Sequence, residues 1–190
     1  MRDYLNQLDT ELFLWLNARW APWLDPIMVA FTERNTWIPA YALLVGWLIY
    51  RYRRGAAGLI LTLAGAVALA DQLASSVLKP YFLRPRPCHV PALVKQIHPV
   101  LDCGGAYGFV SSHAATTFAL AMSLWLLLGH RYGWPKWVFV WAALVSYSRI
   151  YVAAHYPLDV LAGAGVGIGS AALGVWAYRK FTTQRAQTYR

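Results

Sequence analysis

Long apolar runs alternate with short basic or proline-rich segments along most of this chain. Residues 37–50, 55–78, 113–129, 135–152 and 157–178 are strongly apolar, and Asp71 is the only charge within the second run. A helix crosses a bilayer with roughly 20 apolar residues. Several of these runs are at or just under that length, so tilt or local thinning accommodates them. Residues 4–31 are amphipathic and broken at Trp20-Ala21-Pro22-Trp23 and Asp25-Pro26. Proline interrupts helices and biases its predecessor away from them. The pattern predicts a short interfacial helix, then a second short helix or an irregular first span. Residues 79–112 are polar and rich in Pro, Gly and Cys, which predicts a loop. The whole reads as an all-α, polytopic membrane helical bundle of about six helices, whose long loop carries part of a site. With 190 residues, one domain (1–190) is expected.

Composition agrees with a membrane setting. Hydrophobic residues make up 58% of the chain and charged residues 13%, against about 25% charged in a soluble domain. Many of the 10 Trp and 12 Tyr flank the apolar runs, as an aromatic belt at headgroup level does. The net charge of +9 would suit nucleic acid binding in a soluble chain. Here the cations cluster at the ends of apolar runs, so membrane lipids are the expected partners and nucleic acid is not. The start, Met1-Arg2-Asp3-Tyr4, lacks the basic-then-apolar pattern of a cleavable signal peptide.

The cations also set an orientation. Arg51, Arg53 and Arg54, then Arg131 and Lys136, then Arg179, Lys180, Arg185 and Arg190 fall on one side if the spans alternate. That side is expected to be cytoplasmic. The opposite face, periplasmic for a bacterial inner membrane, receives the 79–112 loop, Arg149 and His155. Lys79, Arg84, Arg86 and Lys95 run against the bias there, which suggests that function holds them. Cys88 and Cys103 both lie in this loop; the alternatives are a disulfide, two thiols, or a zinc site with His89 and His98. Gly163, Gly165, Gly167, Gly169 and Gly174 in the last run predict close helix packing rather than a dinucleotide loop. Asp71 is expected to be a buried partner for a cation or amide.

Three polar blocks then change the picture from membrane protein to membrane enzyme. They are Lys79 with Arg86-Pro87, Ser111-Ser112-His113, and Ser148-Arg149 with His155 and Asp159. In the alternating topology all three reach the same face. Ionisable residues at a membrane edge are costly and mark function. Phosphoryl transfer spreads charge over three oxygens, so it calls for several fixed cations and N–H donors. Lys79, Arg86 and Arg149 suit that task, as do Ser111 and Ser112 at the start of an apolar helix. Asp159 stands four residues after His155, a spacing at which a carboxylate meets an imidazole. It would orient the ring for attack on phosphorus. His113 would donate the proton a leaving alkoxide needs.

Together the blocks resemble the type 2 phosphatidic acid phosphatase superfamily, which includes vanadium haloperoxidases. Its pattern is Lys-x6-Arg-Pro, Pro-Ser-Gly-His and Ser-Arg-x5-His-x3-Asp. The first and third match fully across residues 79–159; the second keeps Ser111 and His113 but has Val110 for Pro and Ser112 for Gly. The resemblance implies a six-helix membrane bundle and catalysis without metal or cofactor. It implies His155 as nucleophile through a phosphohistidine, Asp159 orienting it, and His113 as acid and then base. Lys79, Arg86, Ser111, Ser112, His113 and Arg149 would hold the phosphate. The substrate implied is a phosphorylated lipid. Undecaprenyl diphosphate is the first expectation; lipid A, phosphatidylglycerol phosphate and phosphatidate are the alternatives, as is transfer to another lipid rather than hydrolysis.

Overall fold

The computed structural model describes residues 2–102 and 104–188. Nine α-helices run in chain order among them: α1 (Arg2–Asn17), α2 (Asp25–Thr32), α3 (Ile38–Tyr52), α4 (Ala56–Gln72), α5 (Lys79–Phe82), α6 (Pro91–Val94), α7 (Ser112–Leu128), α8 (Pro135–Tyr151) and α9 (Pro157–Thr188). Six of these have 15 residues or more, in line with the expected bundle. The five apolar runs became α3, α4, α7, α8 and α9. Pro39, Pro135 and Pro157 sit in first helical turns, where the absent N–H has no intrahelical partner to lose.

The bundle centre is α7 against α9, and its closeness is set by glycine. A Cβ on Gly163 would overlap the Ser111 carbonyl, and one on Gly167 would overlap that of Ala115. Gly174 faces Ala66 of α4, whereas Gly165 and Gly169 meet nothing within 4 Å. Only three of the five glycines therefore serve the predicted packing. The opposing face of α7 is equally small, with Ala114, Ala115, Ala119 and Ala121 fully buried. Small residues let backbones approach where lipid offers no hydrophobic drive to associate.

The outside of the bundle is apolar. Leu43 and Tyr50 are each 75% exposed, and Leu61, Leu161, Leu173 and Trp176 also face outward. Arg34–Phe82 and Pro157–Gln184 contain helical stretches long and apolar enough to cross a membrane. This is an integral membrane protein, and the exposed apolar belt is its lipid-facing surface.

The first 32 residues do not provide a span. Both α1 and α2 lie at the end of the bundle that carries the polar loop. Asn17 Nδ2, at the end of α1, donates to the carbonyls of Ile150 (3.2 Å) and Tyr151 (2.7 Å) at the end of α8. Leu5, Leu8, Leu12 and Trp15 of α1 face outward, while Asp9, Phe13 and Asn17 are buried. The spacing of four on the inner face is that of an amphipathic helix.

Residues 79–112 are less loop-like than expected. Helix α4 continues through a wide π-helical turn, Leu73–Leu78, into α5, and stops at Leu83 in the left-handed conformation (φ 49°). Beyond it, Arg84–Arg86 pairs with 106–108: Gly108 N–H donates to the Arg84 carbonyl (2.8 Å) and Arg86 N–H to that of Ala106 (3.0 Å). Cys88 is disulfide-bonded; Cys103, its expected partner, lies outside the described residues. A zinc site of the kind considered is excluded, because the Cys88 sulfur is occupied, His89 Nε2 faces the Gly104 carbonyl (3.1 Å) and His98 Nε2 faces Asp25 (3.1 Å).

Candidate active site

All eight predicted site residues gather at this end of the bundle, delivered by four segments. Lys79 arrives at the end of the α4–α5 rod, and Arg86 on the paired strand-like segment. Ser111, Ser112 and His113 form the start of α7. Arg149 ends α8, and His155 and Asp159 bracket the start of α9. The charges of Lys79, Arg86 and Arg149 all act on His155, and those of Arg149 and Arg34 act on His113.

His155 is 1% exposed and lies in the five-residue turn between α8 and α9. That turn is held by main-chain bonds from Ala154 and His155 to the Arg149 carbonyl (3.0 and 3.2 Å), so the arginine and the histidine share one rigid unit. Burial, reinforced by Arg149, Arg86 and Lys79, pushes the His155 imidazole well below the usual histidine range. The ring is therefore neutral near pH 7, with a lone pair on one nitrogen. Its Nδ1 stands 3.6 Å from Asp159 Oδ2. The expected pairing is present as proximity, but the separation exceeds a hydrogen bond. Gly108 lies over this edge, where a Cβ would come within 3.1 Å of Asp159 Oδ2 and 3.5 Å of His155 Nδ1. Asp159 is fully buried and is engaged by Arg84 Nη1 (2.7 Å) and the Tyr156 N–H (3.0 Å).

The start of α7 presents its first-turn N–H groups at the same end of the bundle. Ser111 caps the helix, its hydroxyl accepting from Ala114 N–H (3.4 Å), and its own N–H donates to the Asp159 carbonyl (2.9 Å). First-turn N–H groups have no intrahelical acceptor and favour an anion. Ser112 has ordinary helical geometry, and no positive φ demands glycine there. Its side chain is accommodated in the wall of a cavity. Arg86 is 9% exposed, with Nε donating to the Tyr107 carbonyl (3.2 Å).

Several participants were not singled out from sequence. Thr32, ending α2, accepts a short hydrogen bond from Arg149 Nη1, and its carbonyl lies 3.2 Å from His113 Nε2. One residue thus orients both. It sits in a polar break between apolar segments, Thr32-Glu33-Arg34-Asn35-Thr36, which is the signal that was available. Arg34 and Asp71 line the same cavity as His113; Asp71 accepts from Ser75 (3.3 Å) and its charge acts on Lys79, so it is a cation partner as expected, though half-buried rather than buried. The cavity measures about 580 Å³ and descends between α3, α4 and α7, with walls from Tyr41, Leu44, Ile60, Leu63, Val67 and Leu120.

An apolar cavity between helices with Ser112, His113 and Arg34 in its wall suits an amphiphile with an anionic head. The PAP2 superfamily model matches residues 55–183. Two relatives are lipid A 4'-phosphatases. That of Bacteroides thetaiotaomicron is 34% identical over 88% of this chain and 75% of its own length, and that of Porphyromonas gingivalis 31% over 97% and 78%. The undecaprenyl-diphosphatase BcrC of Bacillus subtilis is 33% identical over 76% and 70%. Among solved structures, Aquifex aeolicus LpxE superposes with a TM-score of 0.67 at 26% identity, covering 88% of this chain and 94% of that one. The chain belongs to the PAP2 superfamily, the type 2 phosphatidic acid phosphatases that its motifs resemble.

Proposed function

We propose that this protein removes a phosphate from lipid A or a closely related phosphoglycolipid. It is a membrane lipid phosphatase, a hydrolase acting on phosphorylated lipids. The choice of lipid rests on the two lipid A 4'-phosphatases, which match more of this chain than the undecaprenyl-diphosphatase does. This displaces the sequence-based preference for undecaprenyl diphosphate, which becomes the second substrate to test. The single observation that carries the reaction class is the convergence of Lys79, Arg86 and Arg149 on His155, with Arg149 also acting on His113, which lines an apolar cavity.

In the proposed cycle the His155 imidazole attacks phosphorus as the bond to the lipid oxygen breaks, and His113 protonates that oxygen. Water, deprotonated by His113, then cleaves the phosphohistidine. Asp159 steadies the imidazolium. Lys79, Arg86 and Arg149, with the Ser111 and Ser112 end of α7, hold the charge spread over the phosphoryl oxygens. The lipid body occupies the cavity between α3, α4 and α7. Residues 79–159 form the catalytic core of a single domain. The positive-inside bias supports a site on the periplasmic face of a bacterial inner membrane.

The test is phosphate release by the purified protein from lipid A, undecaprenyl diphosphate, phosphatidylglycerol phosphate and phosphatidate, with His155→Ala alongside. Release from lipid A, lost in the variant, is expected. Faster release from undecaprenyl diphosphate would reverse the substrate assignment. Undiminished release by His155→Ala would remove the nucleophile.

A further inference from the structure

One buried ion cluster extends from Asp159 to residues that the cycle just described does not use. Arg84 lies outside the motif positions, yet its guanidinium forks between two carboxylates. Nη1 donates to Asp159 Oδ1 and Nη2 to Asp9 Oδ2, each at 2.7 Å. Asp9 comes from α1, a helix that the motifs do not include, and is 3% exposed. Its other oxygen, Oδ1, accepts the N–H of Leu158 (2.9 Å) at the second position of α9. The residue preceding α9 is Tyr156, whose carbonyl takes the Asp159 N–H (3.1 Å) but whose side chain carries no carboxylate or amide for the earlier ones. The first-turn N–H groups are served instead by Asp9 from α1 and by Asp159 reaching back to Tyr156. The Arg84 guanidinium also lies 4.1 Å over the Tyr156 ring, covering the residue next to His155.

We propose that Arg84 and Asp9 are positioning residues for phosphoryl transfer, holding Asp159 in place and ionised behind His155. The inference rests on the reading of His155 as nucleophile. Asp159 has two oxygens. Arg84 occupies Oδ1, so Oδ2 is the one left facing His155 Nδ1 at 3.6 Å. Two carboxylates buried at one helix start repel each other, and the guanidinium between them offsets that repulsion. In the attack, the N–P bond forms as the P–O bond breaks and the lipid oxygen takes its proton from His113. The Nδ1 proton stays on the ring, now cationic, and closes on Asp159. A carboxylate free to swing or to accept a proton from solvent would lose that stabilisation. A bidentate fork suits the task because displacing Asp159 would require Asp9, and with it α1, to move as well.

A simple staple of α1 to the bundle would use the same contacts, so the test must read catalysis apart from folding. Full-length protein in detergent is compared with Arg84→Gln, Arg84→Lys, Asp9→Asn and His155→Ala for kcat, KM and thermal midpoint. Arg84→Gln is expected to lower kcat about 10- to 100-fold and Asp9→Asn about 10-fold, with KM within about 2-fold, because the phosphate-holding cations are untouched. Arg84→Lys, which keeps a charge but not the fork, should recover part of the lost kcat. Added guanidinium ion at a few tens of millimolar should partly restore an Arg84→Ala variant, whereas methylammonium should restore less. Wild-type kcat in folded Arg84→Gln and Asp9→Asn, even with a lowered midpoint, would overturn the proposal and leave only a staple. A raised KM at unchanged kcat would overturn it too, by making Arg84 a substrate contact. If Arg84→Gln does not fold, the near-isosteric Asp9→Asn decides on the same readouts. Turnover surviving in His155→Ala would refute the nucleophile itself; its loss there, with Arg84 and Asp9 variants unaffected, would refute this inference alone.

Discussion

The two ends of the bundle are both rich in arginine and lysine, yet they use them in different ways. At the end opposite the site, Arg51, Arg131, Lys136, Arg179 and Lys180 are exposed. Four of them lie over aromatic rings at 5.2 to 5.8 Å: Arg51 on Tyr52, Arg131 on Tyr132, Lys136 on Trp137 and Lys180 on Trp176. Arg179 reaches back to the Leu126 carbonyl (2.6 Å). These are stems laid along apolar surface with their heads at the boundary. At the site end, Lys79, Arg84, Arg86 and Arg149 are half-buried or buried, and their charges converge on two histidines and Asp159. Residue type and position at a helix end are the same in both. Burial and a shared focus distinguish them; Asp9 and Asp159 offset the desolvation of Arg84, and a bound anion would offset that of the others.

The largest effect that would test this contrast is at the focus. Arg149→Ala and Arg86→Ala should each lower kcat/KM by about 10²- to 10³-fold, read by phosphate release. Equal losses from Arg131→Ala or Lys180→Ala would erase the distinction. A packing experiment comes next. Gly167→Val forces a side chain into the Ala115 carbonyl and should cost about 1–3 kcal/mol, seen as a lower thermal midpoint. Gly165→Val, which meets nothing, should leave the midpoint nearly unchanged.

Acidity sharpens the comparison further. Because burial and the cations hold His155 below the usual histidine range, the ring stays neutral as pH falls through about 6.5. A kcat/KM that halves near that pH through protonation of His155, lost in no other variant, would contradict the described burial. The linked stability has a definite sign. The unfolded chain takes up the His155 proton first, so this group's contribution is full above the unfolded value and is lost as pH falls toward the folded one. The smallest expected effects are at the opposite end, where Arg131→Ala and Lys180→Ala should stay within about 2-fold of wild-type kcat/KM. Treatment with EDTA should leave turnover unchanged; loss restored by Mg²⁺ would overturn the metal-independent reading.

Much of this was legible in the chain. The five long apolar helices follow from runs bounded by prolines and cations, and local rules decide those boundaries. The eight candidate site residues were singled out by spacing within short blocks, and the fold brings those blocks to one end of the bundle. The first 32 residues were harder. Pro22 and Pro26 marked a break, but whether α1 crosses or lies across the site end depends on what covers its inner face, Asp9, Phe13 and Asn17. Thr32 was missed for a related reason. A threonine in a polar break carries no periodic signal, and it matters only because the end of α2 meets the end of α8.

The sequence by itself determined that the chain is a helical membrane bundle of the lipid phosphatase class. Hydropathy is additive along a helix, and the spacings within each motif block span at most about two turns. Tertiary structure alone decided that Arg84 ties Asp9 to Asp159 across 75 positions each way, that three of five glycines meet a neighbouring helix, and that an apolar cavity opens beside His113. Those facts depend on how separate helices approach one another. Such contacts form between residues distant in the chain, where no local periodicity records which partner each side chain will meet.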